Sequence, residues 1–106
     1  MNLQKMMKQA QEMQAKFAQA QDRVSGEERE GVAANGLVKA VVNGKGELKK
    51  LSLDKSVVDA DDIETLEDLI LVAFADAKGK MDAYANDEMQ KVTGGLNLPG
   101  GMKLPF

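Results

Sequence analysis

Seven apolar residues alternate at spacings of three and four near the start of the chain, and this repeat constrains the fold more than any other feature. Such spacing places all seven side chains on one face of a helix and is typical of a seam between packed helices. Ser25 and Gly26 follow the repeat and are expected to end the helix. The sequence therefore predicts a helix over residues 2–24, on the order of 35 Å long. The members of this heptad stripe are Leu3, Met6, Ala10, Met13, Phe17, Ala20 and Val24.

A helix of this length needs a partner, because the chain has only 106 residues and is expected to form a single domain. The chain contains seven methionines, whose flexible side chains give a soft and adaptable packing surface. We therefore predict an obligate or near-obligate homodimer. The packing seam is predicted to consist of Leu3, Met6, Met13 and Phe17.

The hydrophobic period changes from the helical value to two after the charged residues 27–30. Asn-Gly pairs at positions 35–36 and 43–44 are turn signals, and the second is the strongest short signal for a hairpin. These features predict a three-stranded antiparallel meander. The strands are expected over residues 31–34, 37–42 and 47–54.

Simple alternation assigns the side chains of the third strand to two faces. Leu51 and Leu53 are predicted to share a face with Lys49, and the other face is predicted to carry Leu48, Lys50 and Ser52. Lysines in and near the strands are compatible with a basic face on the sheet or with edge residues that block unwanted pairing. These lysines are Lys39, Lys49, Lys50 and Lys55.

A second helix is predicted after the acidic residues 59–68, with Asp61 or Asp62 as its cap. It is expected to be the central buried helix and to end by Gly94 and Gly95. Its apolar stripe consists of Leu66, Ile70, Ala73, Ala77, Met81 and Tyr84. The predicted fold class is therefore α+β, with one α-β-β-β-α domain over residues 1–94 and a Gly/Pro-rich tail over residues 95–106.

The chain contains neither cysteine nor histidine, and this excludes most catalytic and metal-binding chemistry. No Ser–His or Cys–His pair is possible, and no imidazole or thiolate can hold a metal. The acidic residues 59–68 lack the spacing and the glycine of a calcium loop, so capping is the favoured interpretation. We expect no enzyme activity, no cofactor, no metal and no small-molecule substrate. No segment has the apolar length of a membrane helix, so we expect a cytoplasmic protein without a membrane partner.

The charge distribution leaves room for a basic surface although the net charge is −3. Residues 59–68 contribute −6, so the other 96 residues carry a net +3. The first helix carries four basic residues outside its heptad stripe. Each of them could contact a phosphate group or belong to a solvated helix surface, and the charge pattern leaves both interpretations open. These residues are Lys5, Lys8, Lys16 and Arg23.

Four segments resemble the YbaB/EbfC family and are spread in that family's order over nearly the whole chain. The resemblance implies a bacterial, nucleoid-associated protein that binds duplex DNA and influences nucleoid organisation and gene expression. With it, the four basic residues of the first helix are as a group the predicted contacts to DNA phosphates, which supply affinity without specifying bases. The resemblance also implies a tweezer-like homodimer, with the sheets joined and the helices projecting. The segments are MKQAQEMQ at 7–14, GLVK at 36–39 running to the Asn-Gly pair at 43–44, LEDL at 66–69 with AFADA at 73–77, and LPGGMKLPF at 98–106.

Two functional classes stay open from the sequence. The first is an architectural DNA-binding protein, which the family resemblance favours. The second is a protein-interaction adaptor with weak or no DNA binding, in which the heptad helix and the apolar tail engage another protein. The acidic net charge favours the second class.

Overall fold

The computed structural model describes residues 2–93, so the predicted tail over residues 95–106 lies outside the described residues. Within them the element order is helix, three strands, helix, which confirms the predicted α-β-β-β-α fold. Two short 3-10 turns, Ala34–Gly36 and Lys55–Val57, connect the elements. The helices and strands are α1 Leu3–Gly26, β1 Glu28–Ala33, β2 Val38–Asn43, β3 Leu48–Leu53 and α2 Ile63–Thr93.

Side-chain caps fix the beginning of both helices. The Asn2 side-chain oxygen accepts hydrogen bonds from the backbone N–H groups of Gln4 and Lys5 at 3.2 and 3.4 Å. The Asp62 carboxylate accepts bonds from the N–H and the hydroxyl of Thr65 at 3.4 and 2.7 Å, which selects Asp62 from the two predicted caps of α2. Both caps satisfy N–H groups that have no partner inside the helix.

Strand β1 begins at Glu28, three residues before the predicted start at residue 31. The charged residues Glu28 and Glu30 are exposed, whereas Gly31 and Ala33 are buried on the opposite face. Alternating faces let a strand carry charged residues towards solvent without disturbing its buried side. The charges of residues 27–30 hide this alternation in the sequence, so the predicted strand starts too late.

The three strands form an antiparallel sheet in the order β1-β2-β3. Pairing of β2 with β3 is irregular, because Val41 lies opposite Lys50 but Val42 lies opposite Leu48. The extra residue, Lys49, is therefore a β-bulge. The bulge places Leu48 on the same face as Leu51 and Leu53, so the predicted assignment of Leu48 to the opposite face is wrong.

The core lies between α2 and the sheet, and α2 packs on β1 and β2. Ala73 and Ala77 of α2 are fully buried, as are Val38 and Val42 of β2. Gly31 of β1 makes this close packing possible, because a Cβ at this position would overlap the backbone of Ala73 and Ala77. The predicted central helix is thus confirmed as the buried one.

Helix α1 packs at one end only, and burial along its heptad stripe is graded. Val24 and Ala20 are buried, Phe17 and Met13 are half-buried, and Leu3 is 71% exposed. Val24 packs with Met81 whereas Met13 lies beside Val92, so the two helices run antiparallel with the start of α1 pointing away from the sheet. The described residues span 71 Å in their longest dimension. The predicted long, projecting helix is confirmed, and its role as a dimer seam stays a prediction.

Candidate nucleic-acid interface

The four predicted DNA-contact residues lie along one side of α1. At about 100° per residue, Lys5, Lys16 and Arg23 fall within about 20° of one another around the helix, and Lys8 falls within about 80° of all three. All four are exposed and lie off the heptad stripe. We call this set the α1 basic line. It extends about 27 Å along the helix from Lys5 to Arg23.

The three lysines of the α1 basic line are available to meet an anion. Among residues 2–93, no carboxylate lies within ion-pairing distance of Lys5, Lys8 or Lys16. Glu12 is exposed on the same side of the helix and reduces the positive potential there. The arrangement therefore offers three mobile cations and one anion to solvent.

Arg23 differs from the lysines because it cross-links the two helices. Its guanidinium nitrogens donate to the Glu88 carboxylate of α2 at 3.3 and 3.4 Å. The Lys91 ammonium approaches the other oxygen of that carboxylate at 3.3 Å. The side chain of Glu88 is 11% exposed, whereas that of Arg23 is 52% exposed. Arg23 thus holds α1 against α2 and has only part of its charge available for DNA.

The cluster of Arg23, Glu88 and Lys91 keeps the buried carboxylate ionised. Burial of Glu88 opposes ionisation, but the hydrogen bonds and charges of Lys91 and Arg23 outweigh it and lower the pKa of Glu88. The carboxylate is therefore charged at neutral pH and neutralises part of the adjacent basic charge. The sequence analysis missed Glu88, although its spacing of three from Lys91 was a visible sign of a helical ion pair.

A groove of about 740 Å³ runs between α1 and the end of α2. We call it the interhelix groove. Met13 and Val92 provide apolar walls, and Lys16, Arg23 and Lys91 provide basic ones. Met13 belongs to the heptad stripe, and Lys16 and Arg23 belong to the α1 basic line, so the groove lies between the two surfaces.

The lysines of the sheet form a less basic surface than those of α1. Lys39 and Lys50 lie on the face of the sheet that points away from α2, in a depression that also contains Glu30 and Asp54. Lys49 occupies the bulge. Acidic neighbours therefore offset the sheet lysines.

The two outer edges of the sheet differ in the groups that cover them. At β1, the Asp76 carboxylate accepts a hydrogen bond from the Val32 N–H at 3.0 Å, and the Lys80 ammonium donates to the Glu30 carbonyl at 3.0 Å. The hydrogen bond from the Val32 N–H lowers the pKa of Asp76, and the hydrogen bond from Lys80 lowers it further by a smaller amount. No group among residues 2–93 covers the outer edge of β3 in this way. Sequence reasoning missed the β1 contacts, although Asp76 and Lys80 have the spacing of a helical ion pair.

The face of β3 that continues the buried side of the sheet is apolar and open. Its members are Leu48, Leu51 and Leu53, which are 46%, 39% and 40% exposed. They lie opposite Val42, Ala40 and Val38 of β2, which are fully buried beneath α2. We call these three leucines the β3 apolar face. Because α2 covers β1 and β2, this strand is the part of the core surface left without a covering layer among the described residues.

The remaining predicted features concern metals and membranes. The described residues contain no group of three or more carboxylates placed to hold a metal ion. In the acidic segment, the Asp59 carboxylate accepts a bond from the Asp61 N–H at 2.9 Å, and Asp62 caps α2. Neither helix has an apolar stretch in its described part that is long enough to span a bilayer.

Comparison with known proteins places the chain in a family. Residues 1–96 match the YbaB/EbfC DNA-binding family. A nucleoid-associated protein of Rhodospirillum centenum is 55% identical over 105 residues, covering 99% of this chain and 98% of that protein. One from Agrobacterium fabrum is 48% identical over 101 residues, covering 95% and 94%. The crystal structure of an uncharacterized protein from Helicobacter pylori superposes on this chain with a TM-score of 0.74, so the two proteins share the fold. Their sequences are 20% identical, and the match covers 89% of this chain and 99% of the Helicobacter pylori chain. The chain belongs to the YbaB/EbfC family of DNA-binding proteins.

Proposed function

We propose that the protein binds duplex DNA as a homodimer through the α1 basic line and acts as a nucleoid-associated protein. The observation that carries this proposal is the row of three lysines on a projecting helix, without an ion-pair partner among residues 2–93, in a chain that belongs to a DNA-binding family. The names of its relatives support a role at the nucleoid. We assign it no catalytic step.

Contacts from lysines to phosphates explain how a protein with a net charge of −3 can bind DNA. Each phosphate contact releases condensed counterions, so affinity depends on the few cations that meet the backbone rather than on total charge. A dimer presents two copies of the α1 basic line and doubles that number. The acidic residues 59–68 precede and begin α2, at the end opposite its contacts with α1. Binding should therefore be modest, steeply dependent on salt and weakly selective for sequence.

The homodimer is supported by the β3 apolar face. Leu48, Leu51 and Leu53 continue a buried sheet surface, and a second copy placed against them would remove their exposed area from water. Burial of apolar surface stabilises association by about 25 cal/mol per Å² before the entropic losses of binding. Association at β3 would leave both copies of α1 projecting, since α1 packs on α2 and β2.

The DNA proposal is tested by fluorescence anisotropy with a labelled duplex at several salt concentrations. Lys5, Lys8 and Lys16 are replaced together by alanine. The slope of log affinity against log salt should fall by about 0.9 for each phosphate that the variant no longer neutralises, with weaker binding to every sequence tested. A variant with Lys39, Lys50 and Lys55 replaced by alanine carries the same change in charge and should bind as the parent does. Equally weakened binding in both variants would refute a specific role for α1.

The dimer proposal is tested by analytical ultracentrifugation. The parent should sediment with about twice the chain mass of 11.4 kDa at micromolar concentration. Replacement of Leu51 by Asp should shift it to the monomer mass, whereas replacement of Ser52 by Asp, on the opposite face, should not. A parent that sediments as a folded monomer contradicts the proposal.

The second candidate function is a protein-interaction adaptor. The exposed half of the heptad stripe favours it, because Leu3 and Met6 remain 71% and 53% exposed in the described structure. The anisotropy experiment separates the two functions. An adaptor without DNA binding predicts no anisotropy change with the parent protein even at low salt.

A further inference from the structure

We propose that the C-terminal segment, residues 95–106, docks back onto α1 of the same chain and covers the exposed half of the heptad stripe. This goes beyond DNA binding and does not depend on it. The segment would pass through the interhelix groove and continue along α1 towards the first turn of that helix. The structure describes the chain up to Thr93, so the proposal rests on the docking surface and on the sequence of the segment.

The docking surface is a helix face that lacks a cover among residues 2–93. The stripe is buried where α2 lies against it, at Ala20 and Val24, and becomes exposed from Ala10 to Leu3. Exposure begins where α2 ends, because Val92 and Lys91 line the interhelix groove beside Met13. Helix α2 thus covers half of a continuous apolar stripe and ends where the uncovered half begins. The residues that follow α2 in the chain therefore start next to the uncovered half.

The length of the segment fits this surface. From Met13 to Leu3 the stripe is about 15 Å long, at 1.5 Å per residue. Thirteen residues follow Thr93, and an extended chain of that length reaches about 40 Å. The segment can therefore cover the whole exposed stripe with several residues to spare for a turn at Pro99–Gly101.

The composition of the segment also fits. In an extended backbone, alternate residues point the same way, so one side would carry Leu96, Leu98, Met102, Leu104 and Phe106. Proline at positions 99 and 105 disfavours a helical conformation at those positions. Lys103 is the only charged side chain among residues 95–106. The segment therefore offers mainly apolar side chains to the stripe.

Oxidation of methionine by hydrogen peroxide tests the proposal, because α1 carries an internal control. Met6 lies on the stripe, whereas Met7 lies about 100° around the helix. They are 53% and 58% exposed in the described residues, so without a cover they should oxidise at similar rates. With the segment docked, Met6 should oxidise about threefold or more slowly than Met7, as read by peptide mass spectrometry.

Two variants assign the protection to the segment. Truncation after Gly94 should bring the rate at Met6 up to that at Met7. Replacement of Leu104 and Phe106 by serine should do the same in a full-length chain, and Asn97→Ser serves as the matched control that keeps the protection. Protection that persists in the Leu51→Asp variant, under conditions where it sediments as a monomer, indicates docking within one chain. Equal rates in the parent, protection that survives truncation, or protection that is lost in the monomeric variant would each overturn the proposal.

Discussion

The contact between β1 and α2 makes Gly31→Ala a severe substitution. A Cβ at Gly31 would overlap the Ala77 backbone N and Cα and the Ala73 carbonyl oxygen. Backbone atoms cannot rotate away as a flexible side chain can, so relief requires α2 to move off the strand. That movement would loosen the packing of Ala73 and Ala77, which are fully buried.

The magnitude follows from two opposing effects. Replacing glycine by alanine lowers the entropy of the unfolded chain and stabilises the fold by about 0.4–1 kcal/mol where the native backbone accepts it. Overpacking of a core costs about 1–3 kcal/mol, and the rigid neighbours at Gly31 place this site at the upper end. We expect a net loss of about 2–3 kcal/mol, which lowers the melting temperature by about 10–20 °C for a domain of this size.

Gly79→Ala is the matched control, because the same chemical change is made where a Cβ meets nothing within 4 Å. Gly79 lies inside α2, so alanine should stabilise the fold by about 0.5–1 kcal/mol. Urea and thermal unfolding are followed by circular dichroism at about 222 nm, with equal protein concentrations because an oligomer's stability depends on concentration. A Gly31→Ala protein as stable as the parent would refute the close approach of β1 to α2.

Three further predictions follow from the helices. Phe17→Glu should lower the free energy of unfolding by about 1–3 kcal/mol because it places an unpaired charge at the α1–α2 contact, whereas the exposed Gln14→Glu should have little effect in the same urea titration. The pKa of Glu88 is lowered in the folded protein, so ionised Glu88 stabilises the fold at pH values above its ordinary pKa of 4.5. This stabilisation is lost as the pH falls through the lower pKa of the folded state. The decrease in melting temperature on acidification should therefore be smaller in Glu88→Gln than in the parent. Addition of a chelator should change neither melting temperature nor DNA binding, and a loss of either would show a metal site that the residue types do not predict.

The order of elements could be predicted because it depends on local patterns. The heptad stripe fixes α1, the Asn-Gly turns fix the meander, and the stripe through Ala73 and Ala77 fixes α2. Errors arose where one residue changes the geometry of its neighbours. Lys49 is inserted as a bulge, so Leu48 joins the face of Leu51 although strict alternation separates them.

The candidate site could be predicted only in part, for a different reason. Lys5, Lys8 and Lys16 are recognisable because their position on α1 depends on helical spacing alone. The partner of Arg23 is 65 residues away along the chain, and the contact depends on how α1 lies against α2. Sequence spacing within α2 relates Glu88 to Lys91 but carries no information about Arg23.

The capped edge of β1 limits how many copies can join into one continuous sheet. Asp76 and Lys80 occupy the hydrogen-bonding groups that an added strand would need at Val32 and Glu30. The described sheet can therefore grow in one direction only, past β3. If two copies paired there, a capped edge would remain at each end, so the joined sheet could not be extended into a fibre. Helix α2 would then block further growth of the sheet in addition to forming a layer of the core.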